Sequence, residues 1–151
     1  MSTFLQGLDA DLKEALKSRD ELKVSAIRMI KASLKNKEID KRGPLTDDEV
    51  VAVLSTLAKQ RRESIEHFTA AGRTDLADRE QRELAIIQSY LPRQLPPEEL
   101  DRIIIAAIEE AHATSPNDMG KVMKLLMPKV KGAADGKVVN QRVKELLGTA
   151  S

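Results

Sequence analysis

The chain has 151 residues, 41% of them hydrophobic and 32% charged, with a net charge of +1 and no cysteine. These totals suit one compact helical domain or two small ones, and they exclude disulfides, thiolate nucleophiles and thiolate metal sites. Aromatics amount to 2%, so the core must be built from Leu, Ile, Val, Ala and Met, and single-stranded nucleic acid cannot be held on a row of stacking platforms.

No apolar run approaches 18 residues, so no membrane span is expected. The start, Met1-Ser-Thr-Phe-Leu-Gln, lacks the basic and apolar regions of a secretory leader, and the expectation drawn from it is a cytoplasmic protein.

Phe4, Leu5, Leu8, Leu12, Ala15 and Leu16 recur at three and four, predicting an amphipathic helix over 3–18. Asp20 can cap a second helix that buries Leu22, Ala26, Ile27, Ile30 and Leu34. Its cationic end, Lys35 to Arg42, suits a helix C-terminus, and Gly43-Pro44 stops it. Thr46-Asp-Asp-Glu49 is a capping box that opens a long third helix, about 46–71. Arg61 interrupts the apolar stripe of that helix, and Glu80 or Glu83 on the fourth helix are its natural partners. Ala71-Gly72 should end the third helix, and Thr74 should cap the fourth.

Leu91-Pro-Arg-Gln-Leu-Pro-Pro97 carries three prolines in seven residues, which no helix crosses. The domain expectation is therefore an N-terminal four-helix domain over 1–92, a Pro-rich linker at 93–97 and a small three-helix domain over 98–151. Leu100, Ile103, Ile104, Ala107 and Ile108 stripe the fifth helix. Ser115-Pro-Asn-Asp118 should open the sixth, which Pro128 should kink or end. Asp135 can cap the seventh. Seven helices and no convincing strand give an all-α fold.

Conventional active-site patterns are missing. His67 and His112 fall one in each proposed domain, outside any nucleophile motif and without a second histidine one turn away. No Gly-rich phosphate loop and no dinucleotide fingerprint occurs. The expectation is no catalytic residue, no metal and no small-molecule cofactor.

Basic groupings remain. Between Asp118 and Asn140, five lysines face two aspartates, and Gly120, Pro128, Gly132 and Gly136 punctuate the stretch. Lys121, Lys124, Lys129, Lys131, Lys137 and Arg142, with Gly132 and Gly136 letting a ligand approach backbone amides near a helix N-terminus, form the candidate phosphate-binding corner. Pro128, Gly132 and Gly136 are equally explained by the turn alone. Lys35, Lys37, Lys59, Arg61 and Arg62 make a secondary basic surface. A solvated helix end explains the first two equally well, and a structural ion pair explains Arg61.

These residues carry a resemblance. Gly120-Lys-Val-Met, Met127-Pro-Lys-Val-Lys-Gly132 and Ala134-Asp-Gly-Lys-Val-Val-Asn140 resemble the signature of the GatB/YqeY family. Lys35-Asn-Lys-Glu-Ile39, Lys59-Gln-Arg-Arg-Glu-Ser64, Ala71-Gly-Arg73 and Tyr90-Leu-Pro-Arg-Gln-Leu95 resemble its YqeY members. Pro96 stands where similar proteins often carry a serine cap, and Ala133 where relatives are often basic. The resemblance implies a helical N-terminal domain joined to a three-helix unit similar to the tail of the tRNA-dependent amidotransferase B subunit. The family label is carbon–nitrogen ligase activity with glutamine as amide donor. The amidase Ser-Ser-Lys arrangement and an ATP–Mg²⁺ site are missing, so the implied role is a non-catalytic module that meets tRNA or a tRNA-bearing complex. The alternative is a protein–protein adaptor.

Overall fold

The computed structural model describes residues 2–150; Met1 and Ser151, the outer limits of the two expected domains, lie outside the described residues. Among the described residues the fold is all-helical, with no strand. The α-helices are α1 (Ser2–Lys17), α2 (Glu21–Lys41), α3 (Asp47–Ala70), α4 (Thr74–Ser89), α5 (Pro97–Glu110), α6 (Met119–Val130) and α7 (Gly136–Ala150), with a 3-10 turn at Pro116–Asp118. They form two compact units, Met1–Leu91 and Pro92–Ser151.

In the first unit, Asp20 accepts from the Lys23 amide at 3.1 Å and caps α2. The Thr46 hydroxyl accepts from the Glu49 amide while Glu49 accepts from the Thr46 amide, so α3 opens on a complete capping box. Hydrogen bonding from Lys41, then from the Thr46 backbone, lowers the Glu49 carboxyl to about 2. Leu8, Ile27, Ile30, Leu34, Leu54 and Ile87 fill the core. At its edge Phe4 meets Tyr90 edge-to-face with ring centroids 5.9 Å apart. The Tyr90 hydroxyl donates to Asp11, and burial with this bond pushes the phenol pKa up.

Thr74 does not cap α4. It is already helical, and Arg73 holds the cap position without a side-chain bond to a backbone amide of the helix. The Arg73 guanidinium is instead engaged with both Asp75 oxygens at 3.1–3.2 Å.

Arg61 sits in line with Val50, Leu54 and Leu57, so its charge is carried into the buried edge of the unit. Its Nε lies 3.1 Å from Glu83 and 3.5 Å from Glu80, with the side chains only 13–19% exposed. The approach is ionic and poorly aligned, leaving Nε and Glu80 Oε2 without a hydrogen bond. A second guanidinium nitrogen packs on the Met29 sulfur.

The second unit closes over its own core of Ile104, Ala107, Val122, Leu126, Val130, Val139, Val143 and Leu147. The turn at Ser115 is 3-10 rather than the first turn of α6, and Asp118 accepts from the Thr114 amide at 2.9 Å. Pro128 lies inside α6 and removes the bond to the Lys124 carbonyl. It stands on the exposed side, where water can satisfy that oxygen, and α6 ends two residues later.

Segment 93–97 is not slack chain. The Gln94 side-chain amide donates to the Gly132 carbonyl at 2.7 Å, and the Leu95 amide to the Ala133 carbonyl at 2.8 Å. Arg93 is bidentate to Glu99, and Leu95 joins the second core. Although rich in proline, the segment is part of the second unit.

Candidate functional site

Helix α6 buries Val122, Leu126 and Val130, spaced by four. At ~100° per residue the opposite side carries Lys121, Lys124, Pro128 and Lys131, all within roughly 80° of one another. All four are exposed. The sequence of α6 contains no acidic residue, so its outer side has no carboxylate of its own. Among the described residues, Lys124 and Lys131 have no ion-pair partner; Lys121 has a loose one, Asp118, at 3.7 Å. On α7, Lys137 and Lys144 stand seven apart on one flank, both exposed and both without an ion-pair partner among the described residues.

Other members of the predicted corner are engaged elsewhere. Lys129 turns away from the α6 ridge and pairs with Glu110 of α5 at 3.3 Å. Arg142 is not a free cation. Its Nε and Nη2 grip Asp101 of α5 at 2.7 and 2.8 Å, and its Nη1 reaches Glu145 at 2.8 Å. Hydrogen bonding from Arg142 holds both carboxyls below their ordinary range, while the guanidinium pKa is raised. Two carboxylates on one guanidinium leave no net charge for a phosphate.

The glycine turn also differs from the expectation. Gly132 has φ +77°, a conformation that favours glycine, but its carbonyl is already taken by Gln94 and the turn is half-buried. The turn is thus built into the fold by segment 94–95, which accounts for its glycine without a ligand. At the α7 N-terminus, Asp135 accepts from the Lys137 amide at 3.2 Å, putting a carboxylate where a phosphate would have to sit. Gly136 is exposed, and a Cβ there would meet nothing within 4 Å, so neither turn nor close approach demands its glycine.

The secondary basic residues do not share a surface. Lys35 points outward from α2; Lys37 stands roughly 160° round the same helix, beside a groove shared with Gln60 of α3. Lys59 is exposed on α3, Arg62 is half-buried and already engaged, and Arg61 belongs to the ion cluster with Glu80 and Glu83. Gln94, Asp101 and Glu110 were the residues sequence reasoning missed. Gln94 lies in a stretch that carried the resemblance, but nothing in its spacing pointed to Gly132.

The Asp101–Arg142 bond makes a pH prediction. A carboxyl whose folded pKa is depressed adds stability above its unfolded value, about 4, and that stability is lost as pH falls through the lower folded value. Thermal melts of the wild type should therefore be insensitive to pH from 6 to 8 and drop steeply below 4. Arg142→Met should show a shallower acid fall.

No group of three metal-ligating side chains occurs among the described residues, and no described helix is long and apolar enough to cross a membrane. A profile of the family described as Yqey-like protein matches residues 5–147. Relatives named "Altered inheritance of mitochondria protein 41, mitochondrial" come from several fungi. That of Eremothecium gossypii is 44% identical over 88 residues, covering 58% of this chain and 48% of the relative. That of Pyrenophora tritici-repentis is 30% identical over 151 residues, covering 97% and 82%. That of Saccharomyces cerevisiae is 34% identical over 142 residues, covering 93% and 66%. The chain spans about half the length of the Eremothecium and Vanderwaltozyma relatives. Their names state a mitochondrial location, which overturns the cytoplasmic expectation: the residues at the start of this chain do not decide a compartment. With the family pattern running from the first helix to the last, the chain belongs to the Yqey-like protein family.

Proposed function

We propose that this helical module binds structured RNA of the tRNA class through the outer side of α6, with Lys137 and Lys144 of α7 as flanking contacts. The observation that carries the reading is the acid-free lysine ridge opposite Val122, Leu126 and Val130, with Lys124 and Lys131 lacking an ion-pair partner among the described residues. Phosphates attract such a ridge through charge alone, and no base need be read. The scarcity of aromatics agrees with contact to a folded backbone rather than to splayed bases. A total charge of +1 makes the attraction local.

The engaged states of Lys129 and Arg142 change which residues a test should touch. Fluorescence anisotropy of a labelled tRNA pool, measured against salt, should give a log–log slope that grows by roughly 0.7–0.9 for each phosphate neutralised. The double variant Lys124→Glu/Lys131→Glu should bind at least about tenfold more weakly with a slope shallower by roughly 1.5. Lys129→Gln should change little. Salt-insensitive binding, or an unaffected double variant, rejects this reading.

A further inference from the structure

The first unit presents a second surface that the RNA reading leaves unused. On α2, Ala26, Ile27, Ile30 and Leu34 are buried. Directly opposite run Arg28, Ala32, Lys35 and Ile39, spaced four, three and four and all exposed, with Arg42, the left-handed C-cap just past α2, exposed at the end of the line. Four-three spacing keeps side chains in one line along a helix. Here the line alternates cation, small residue, cation, apolar residue, and spans about 16 Å at 1.5 Å per residue. Arg28, Lys35 and Arg42 have no ion-pair or hydrogen-bonded side-chain partner among the described residues.

The line lies open between two covered flanks. On one side Lys31 pairs with Asp9 of α1. On the other, Ser33 and Lys37 line the groove toward Gln60 of α3. At its upper end an open groove of about 470 Å³ brings Leu16 of α1 and Arg19 of the turn after it beside Val24 and Arg28. Leu16 is 49% exposed and Ile39 62%, and these are the large exposed hydrophobics among the described residues of this unit. Both belong to this one surface. Two carboxylates stand nearby: Glu21 in the first turn of α2, and Glu38 on the flank beside Lys35 and Arg42.

We propose that this face docks an acidic amphipathic helix of a partner protein, with apolar residues seated on Leu16, Ala32 and Ile39 and carboxylates opposite Arg28, Lys35 and Arg42. Charge complementarity gives the sign of the partner, and a straight line of alternating cations and apolar side chains suits a helix laid along it. An RNA backbone would answer the three cations but would leave Ile39 and Leu16 with nothing apolar to cover. Helix-in-line docking uses both sets of side chains.

The test uses the full chain and a fluorescein-labelled synthetic helix with leucines at four-three spacing flanked by glutamates, beside a scrambled peptide of identical composition. Saturable binding of the patterned peptide is expected. Lys35→Glu should weaken it about tenfold and Ile39→Ser about fivefold, since one removes a charge pair and the other an apolar anchor. Lys59→Glu, on the outer side of α3, should leave it unchanged, and circular dichroism should show all variants equally helical. The proposal is overturned if the scrambled peptide binds as well, if Ile39→Ser has no effect, or if no binding is seen. It also falls if Lys35→Glu abolishes tRNA-pool binding while leaving the peptide untouched, which gives the face to RNA, or if Ile39→Ser dissolves a self-association of the chain, which gives it to a second copy. These variants lie on α2 and those of the RNA test on α6, so each reading can fail alone.

Discussion

Replacing Arg61 with alanine is expected to lower the stability of the N-terminal unit by about 3 kcal/mol. The magnitude follows from what is left behind. Glu80 would remain at the edge of the core, 19% exposed, without the cation that faces it, and Glu83, 13% exposed, would keep only the long contact to Arg79 at 3.8 Å. Their partial solvation places the loss at the lower end of the range for breaking a buried pair. Urea unfolding followed by circular dichroism should show the shift in midpoint at unchanged slope. Arg61→Met combined with Glu80→Gln and Glu83→Gln should recover most of the loss, because neutral groups at this edge carry little desolvation cost. If the single variant is as stable as the wild type, the cluster contributes nothing and the Met29 packing is incidental.

The second large effect belongs to the other core. Leu126 is fully buried beneath α6, and Leu126→Ala should cost about 3 kcal/mol through lost burial and the cavity left behind. A unit of this size has only about 3–9 kcal/mol in total, so the substitution removes a large share of its stability. Its calorimetric transition should fall by about 15 °C. The transition of the N-terminal unit should stay in place, since Leu126 has no part in its core. Leu126→Met, which nearly conserves volume, should cost under about 1.5 kcal/mol. A common shift of both transitions would mean that the two cores unfold together.

Features decided within a few residues were legible in the sequence. Thr46 and Glu49 are three apart, and so are Asp20 and Lys23, so cap and helix start could be read together. Arg61 on an apolar stripe demanded a carboxylate, and Glu80 and Glu83 were within reach of the next helix. Contacts across dozens of residues were not legible. Arg142 and Asp101 are 41 positions apart, Gln94 and Gly132 are 38, and no periodicity joins them. These two pairings shape the site, since one removes a cation from the phosphate corner and the other gives its glycine turn a structural role. Thr74 failed for a different reason. The helix starts one residue earlier than the cap signal, at Thr74 itself, with Arg73 in the cap position and its side chain on Asp75.

The clasp between segment 94–95 and residues 132–133 sets where the second unit can be cut free. Leu91 is packed in the first core, while Leu95 is packed in the second, and Gln94 and Leu95 donate to Gly132 and Ala133. A fragment that begins at Pro92 keeps both donors and the Leu95 side chain. One that begins at Glu98 loses all three and leaves the Gly132 and Ala133 carbonyls to water, so its melting transition should fall below that of the longer fragment.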